Sequence, residues 1–194
     1  MKEFIQQEVR IEKDKISESQ IIQNEQVEIL RDWLPEEYKF DFLKLLYRGS
    51  VDGMTPKMLH EKCDDKGPTI TLIKCRFNDV EYSSVIGGFL DQNWNASERW
   101  TGSREAFIFS LREKNNSAKC PILEDRSYCA FYGSWQDGPV FGNGNDIFVS
   151  NDFQRGSIAP GAYLNAEKLC PGKSVSFVVE EIEVLQVQGV QGLK

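Results

Sequence analysis

From Thr69 onward the chain is written in short β-branched and aromatic runs separated by Gly, Asn and Asp. Thr69-Ile-Thr-Leu-Ile-Lys-Cys, Tyr82-Ser-Ser-Val-Ile-Gly-Gly-Phe, Ala106-Phe-Ile-Phe-Ser-Leu and Asp146-Ile-Phe-Val-Ser each suit a strand. So does the longer Ser174-Val-Ser-Phe-Val-Val-Glu-Glu-Ile-Glu-Val-Leu, and a weaker strand is expected around Ser127-Tyr-Cys-Ala-Phe-Tyr. In the long run Val175, Phe177 and Val179 alternate with Ser176 and Val178, then Ile182 and Val184 alternate with Glu181 and Glu183. The phase slips near Glu180, which predicts a β-bulge there. Glu180, Glu181 and Glu183 are expected on the wet face of this strand, where charge also guards a sheet edge. Six or more short strands in succession favour an α+β protein built on an antiparallel β-sandwich, with helices packed outside it.

Before Gly67-Pro68 the pattern is helical. Residues 1–34 are rich in Glu, Gln, Lys and Ile and contain neither Gly nor Pro. Ile5, Val9, Ile16, Val27 and Leu30 fit one helix face, while Glu12 and Gln23 interrupt a coiled-coil seam. This stretch reads either as a solvated, frayed helix or as a helix that pairs with a partner. It divides the chain into a charged helical extension, 1–34, and a domain, 35–194. Pro35 suits the start of a second helix, Glu36 to Leu46, with Tyr38, Phe42, Leu43 and Leu46 on one face. Thr55 is a suitable N-cap and Pro56 a suitable first residue for a third helix, running to about Lys62.

At 194 residues the chain is long enough to bury a core without staples. Its 23 Lys and Arg against 30 Asp and Glu give a formal charge of −7. With no basic block, it is a poor match for nucleic-acid backbones. No run approaches the roughly 18 apolar residues of a membrane span, and the start Met-Lys-Glu-Phe-Ile lacks the pattern of a signal peptide. Five cysteines, widely spaced and without a C-x-x-C, accompany a single histidine, His60. A Cys/His zinc site is therefore hard to assemble, and reduced thiols in the cytosol are expected. Neither metal nor cofactor is expected.

The chemistry-bearing residues each have a plain and a functional reading. Asp52-Gly53 is a turn device, with catalysis by Asp52 as the alternative. His60 with Glu61, Asp64 and Asp65 is a charged helix end, or an acid/base cluster in which Cys63 is the nucleophile. Gly142-x-Gly144-x-Asp146 is a bend feeding a strand; it lacks the carboxylate ladder of a calcium loop. Trp94, Trp100, Trp135 and Phe141 sit beside turns, where large aromatics cap a core or stand out as interface anchors.

The order of segments resembles a TLDc domain, in the form associated with protist-like sequences. The match begins at Leu45-Leu-Tyr-Arg-Gly-Ser-Val-Asp-Gly-Met-Thr and His60-Glu-Lys-Cys-Asp-Asp-Lys-Gly-Pro-Thr-Ile-Thr-Leu-Ile-Lys. It continues through Ile86-Gly-Gly-Phe-Leu-Asp-Gln-Asn-Trp, Trp100 and Glu105-Ala-Phe-Ile-Phe-Ser-Leu. Gly138-Pro-Val-Phe-Gly-Asn-Gly-Asn-Asp-Ile and Phe177-Val-Val-Glu-Glu-Ile-Glu-Val complete it, with Leu185 where the family often has Trp. The resemblance implies a β-sandwich with flanking helices and no established catalytic residue. It also implies oxidative-stress protection and binding to the cytosolic part of a V-type proton pump. The expected function is thus non-catalytic docking onto a large cytosolic assembly, with proton-pump subunits or cytoskeletal proteins as partners. The location expected is the cytoplasm, including cytoskeletal, ciliary or organelle-peripheral sites. The alternatives are a structural part of a cytoskeletal or axonemal complex, and a redox-active or hydrolytic enzyme using Cys63 and His60. The candidate interface residues are Ile5, Val9, Ile16, Val27, Leu30, Trp94, Trp100, Trp135 and Phe141.

Overall fold

The computed structural model describes residues 17–112 and 116–189. It contains mostly antiparallel sheet with a few helices, an α+β architecture. The strands are β1 (Phe40–Arg48), β2 (Thr69–Phe77), β3 (Ser84–Leu90), β4 (Trp100–Thr101), β5 (Phe107–Leu111) and β6 (Ala118–Pro121). They continue with β7 (Phe131–Tyr132), β8 (Val140–Phe141), β9 (Ile147–Val149), β10 (Arg155–Ser157) and β11 (Ser176–Gly189). Hydrogen bonds join them in one path, β4-β7-β8-β9-β10-β11-β2-β3-β5-β6, with β1 on β11. The helices are α1 (Asn24–Trp33), the single turn α2 (Gly49–Asp52) and α3 (Pro56–Cys63).

β11 organises the sheet. One of its edges pairs with β2 from Phe177 to Gln186. The other pairs first with β10, at Ser176 to Val178, and then with β1, from Glu183 to Gly189. Its register against β2 slips between Val179 and Glu181, at the place where the side-chain alternation changes phase. The expected wet face is corrected at Glu183, which is fully buried. Its Oε1 accepts Arg48 Nε at 2.7 Å and the Gln20 amide at 3.1 Å, and its Oε2 accepts the Ser19 hydroxyl at 2.5 Å. A buried carboxylate needs such partners, and here they tie residues 19–20 to the middle of the sheet.

Both faces of the central strands are buried, in alternation. Ile70, Leu72, Phe107, Phe109 and Leu185 belong to one apolar cluster; Ile73, Cys75, Ile108, Ile182 and Val184 belong to the other. α1 covers the first. The Gln23 amide donates to Gln26 Oε1 at 3.1 Å at its start, and Pro35 follows its C-cap. Val27 and Leu30 are fully buried under it, and the Trp33 ring meets Phe107 edge-on at 6.4 Å. Burying each of those aliphatic side chains contributes about 1.5–3 kcal/mol. On the opposite face the β7–β9 end of the sheet folds back over the centre. A Cβ at Gly88 would lie 2.5 Å from the Phe141 ring, so only glycine admits that ring.

Two helical expectations met different outcomes. α3 starts as expected, with Thr55 Oγ1 accepting the Met58 amide at 3.3 Å and Pro56 in the first turn. The expected helix from Glu36 to Leu46 is instead a 3-10 turn, Glu36–Tyr38, followed by β1. The cause is visible in the register. β1 carries an extra residue against β11 between Phe40 and Phe42, and again between Leu45 and Tyr47. Two bulges stretch a period of two, so the buried residues Phe40, Leu43 and Tyr47 are spaced like one face of a helix. The expected strand at Ser127–Tyr132 is likewise mostly a 3-10 turn, Glu124–Cys129, with only Phe131–Tyr132 paired.

Candidate functional site

A groove of about 750 Å³ lies between α3 and the loop after β7. Thr55, Lys57, His60 and Asp64 line one wall, and Ala96, Trp135, Gln136 and Asn151 the other. The walls are latched together by His60. Its Nδ1 lies 2.7 Å from Asp64 Oδ1 and its Nε2 lies 2.8 Å from the Ser134 carbonyl oxygen. Both ring nitrogens are thus spent on structural partners, and neither is turned into the groove. Lys57 and Glu61 form an exposed pair at 3.7 Å on the rim.

The loop on the far side is held as firmly. Ser134 Oγ accepts the amides of Gln136 and Asp137, at 3.3 and 3.1 Å, and so closes a tight turn. Glu98, in left-handed backbone, clasps it from outside. Glu98 Oε1 accepts the Trp135 amide at 2.8 Å, and its Oε2 accepts the Tyr132 hydroxyl at 3.0 Å. The bond to Glu98 pushes the Tyr132 phenol up from its ordinary value. Tyr132 in turn packs on Trp100, with ring centroids 4.9 Å apart. The outcome is an aromatic rim: Trp135 is 58% exposed, and Trp100, on the Tyr132 ring, 37%.

The sequence-derived interface residues therefore separate. Trp135 and Trp100 stand on this rim. Trp94 and Phe141 are buried, Trp94 against Phe131 at 4.6 Å with its indole N–H donating to Thr69 Oγ1 at 2.8 Å. Val27 and Leu30 lie beneath α1 in the chain's own core. Ile5, Val9 and Ile16 lie outside the described residues. Sequence reasoning missed Tyr132 and Glu98. Tyr132 fell inside an expected strand; Glu98 reaches the loop through its carboxylate from a left-handed backbone that the sequence does not display.

The chemistry considered for the neighbouring residues can be placed as well. Cys63 is fully buried, and burial, followed by the charges of Asp64 and Asp52, pushes its thiol far above the ordinary range. Burial also raises Cys75, and Cys120 is pushed up to about 11. Such thiols carry almost no thiolate at neutral pH. Asp52 closes its turn by accepting the Arg48 amide at 2.9 Å and pairing with Lys62 Nζ at 2.9 Å, and Gly53 follows at φ 107°. Asp146 is fully buried; its Oδ1 accepts the Gly161 and Tyr163 amides at 2.9 and 3.0 Å, and its Oδ2 that of Ala162 at 2.9 Å. Its oxygens point at amides, as a bend-forming residue requires. Among the described residues, no group of three or more His, Cys, Asp or Glu is placed to hold a metal ion.

The TLDc domain model matches residues 15–188 of the chain. The chain belongs to the TLDc family. Two curated proteins share shorter stretches with this TLDc domain. The human "Interferon-induced protein 44-like" is 30% identical over 81 residues, which is 42% of this chain and 17% of that protein. The Xenopus tropicalis "TBC1 domain family member 24" is 26% identical over 100 residues, 48% of this chain and 17% of that protein. Each matched stretch covers about a sixth of those longer proteins, so their whole-protein activities do not transfer with the TLDc segment.

Proposed function

We propose that this TLDc domain is a non-catalytic docking module that attaches to a large cytosolic assembly through the aromatic rim around Trp135. The folded-over sheet serves as a two-layer TLDc sandwich, and the rim lies where its β4–β7 end meets α3. One observation carries the reading: Trp135 is exposed while its backbone is fixed from both sides, by Glu98 and by the Ser134 turn that His60 holds. An exposed Trp on a fixed backbone loses no loop entropy on docking and is the kind of residue that anchors interfaces. The activated nucleophile that an enzyme reading asks for has no counterpart at Cys63 or His60. No helix among the described residues is long and apolar enough to cross a membrane, and the five cysteines are free thiols; both agree with attachment in the cytosol. The TLDc resemblance favours V-type proton-pump subunits as the partner.

The test is proximity cross-linking of the tagged full chain in native lysate, beside Trp135→Ala. Subunits of the cytosolic pump sector should cross-link to the wild type and be lost with the variant. A tubulin-rich set lost in the same way would move the domain to a cytoskeletal complex. Equal recovery with both chains would remove Trp135 from the interface and overturn the reading.

A further inference from the structure

A second surface lies on a different part of the sheet. The face that α1 covers continues along β2, β11 and β10 beyond the helix, and its far end is open. Along β2 the residues on that face run from buried Ile70 and Leu72 to exposed Lys74 and Arg76, with exposed Asn78 just past its end. In antiparallel register, directly opposed residues share a face. Arg155 of β10 opposes Val178 of β11, and Val178 opposes Arg76 of β2. The result is one cross-strand row, Arg155–Val178–Arg76, in which both arginines are exposed and Val178 is 41% exposed. Beside it is a recess of about 370 Å³ lined by Asn78, Arg155, Ser176 and Val178.

Neither guanidinium in the row is ion-paired among the described residues, although acids outnumber bases in the chain by seven. Among the described residues no carboxylate lies within ion-pair distance of either guanidinium. The acids nearby are occupied. Asp152 Oδ1 accepts the Ser150 hydroxyl at 2.6 Å and the Gln154 amide at 2.9 Å. Glu180 Oε2 accepts the Ser83 hydroxyl at 2.6 Å and faces Lys74 Nζ at 4.0 Å. Asp79 Oδ2 accepts the Ser174 amide at 2.9 Å. Arg155 is within electrostatic reach of Asp152 and helps hold that carboxyl below its ordinary value, after the Ser150 and Gln154 bonds. Its guanidinium still makes no hydrogen bond.

We infer that this open end of the sheet is a docking site for an acidic segment of a partner protein, in which two carboxylates flank an apolar side chain. Charge complementarity selects that occupant. Two strand spacings place the arginine backbones about 10 Å apart; carboxylates at i and i+4 of an extended peptide share one face with an apolar side chain at i+2 and lie about 13 Å apart, a difference that the long arginine side chains take up. Each guanidinium offers a planar fork to a carboxylate, and Val178 between them takes the apolar side chain. Phosphate-rich surfaces fit less well. A site of two unpaired cations beside a Lys74 already facing Glu180, ringed by Asp79 and Asp152 on a chain of net charge −7, is repelled by an extended anionic membrane or nucleic acid. The surface is separate from the Trp135 rim, so it stands or falls independently of that reading.

The experiment is an amide-resolved NMR titration of the full chain with the peptide GSEELEEGS, with GSKKLKKGS as control. Saturable shifts should be confined to β2, β10 and β11 around Arg76, Arg155 and Val178. The double variant Arg76→Ser, Arg155→Ser should weaken binding about two- to thirtyfold, since two exposed ion pairs are lost. Raising the ionic strength from about 0.05 to about 0.3 M should weaken the wild type as well. All three positions are exposed, so the variant should keep the wild-type spectrum elsewhere. Val178→Ser, which keeps both charges, should weaken binding and leave its salt dependence intact. The proposal is overturned by the absence of saturable shifts up to about 1 mM peptide, by equal binding of the double variant, or by equal binding of the basic peptide. It is also overturned if phosphatidylserine vesicles bind through Arg76 and Arg155 more tightly than the peptide.

Discussion

Replacing Asp146 by Ala should be among the most destabilising single changes in this domain. Its carboxylate is fully buried and gathers the consecutive amides of Gly161, Ala162 and Tyr163, all within 3.0 Å. Through them it fixes the Tyr163 ring, whose hydroxyl donates to the Ala130 carbonyl at 2.7 Å. Alanine strands the two buried N–H donors of Ala162 and Tyr163, each costing about 1–3 kcal/mol if left unpaired, and leaves that of the exposed Gly161 to water. Some relaxation and water entry bring the total to about 3–5 kcal/mol, against a whole-domain stability of about 5–15 kcal/mol. For a chain of this length that corresponds to a fall of roughly 6–20 °C in Tm. Asparagine keeps one oxygen but turns an NH2 toward the Ala162 amide, so Asp146→Asn should lose about half as much. Urea denaturation followed by tryptophan fluorescence measures both, and calcium should alter neither curve. A loss below about 1 kcal/mol for the alanine variant would refute the argument that this carboxylate holds the 161–163 backbone.

Three further outcomes follow from the geometry. Leu30→Ala should cost about 2–5 kcal/mol in the same denaturation assay, because α1 is part of the core; a neutral result would mean the helix is not packed in solution. Burial works to raise the Asp52 pKa, but the Arg48 amide bond and Lys62 outweigh it, and the net direction is down from 3.8. Its contribution is therefore complete above the unfolded carboxylate range and lost as pH falls through the lowered folded value. Asp52→Asn should reduce stability at pH 7 and flatten its decline below about pH 4, as read from denaturation midpoints across pH. Native-state alkylation followed by mass spectrometry should label the half-buried Cys170 first; early labelling of Cys63 would contradict its burial.

How far the sequence could be read depended on whether each element carried its own pattern. β2, β3, β5 and β11 have clean alternation or long β-branched runs, and the bulge in β11 was visible because it shifts that alternation. β1 hid itself, because its two bulges space Phe40, Leu43 and Tyr47 as a helix would. β4, β7 and β8 are two residues each, a single period of the strand pattern and too short to repeat it. Among the candidate site residues, exposure was the property that could not be read. Trp94 and Trp135 are both large aromatics beside turns. They differ because Trp94 finds Thr69 for its N–H and Phe131 for its ring, contacts made across the fold. Glu183 misled for a related reason, since its buried partner Arg48 lies 135 residues away.

The position of β11 has a consequence for how the protein is made. It is the last described strand in the chain, yet it sits inside the sheet, with β2 on one edge and β10 and β1 on the other. A nascent chain that has emerged only through β10 holds three strands with open edges and no central partner. Such edges invite pairing with other chains. The sheet thus closes only after translation has passed Gly189 and the exit tunnel has released it. Until then the growing chain depends on whatever shields it at the ribosome. A premature stop just before β11 leaves not a shorter TLDc domain but two separate strand groups, β2-β3-β5-β6 and β4-β7-β8-β9-β10, with open edges where β11 would join them.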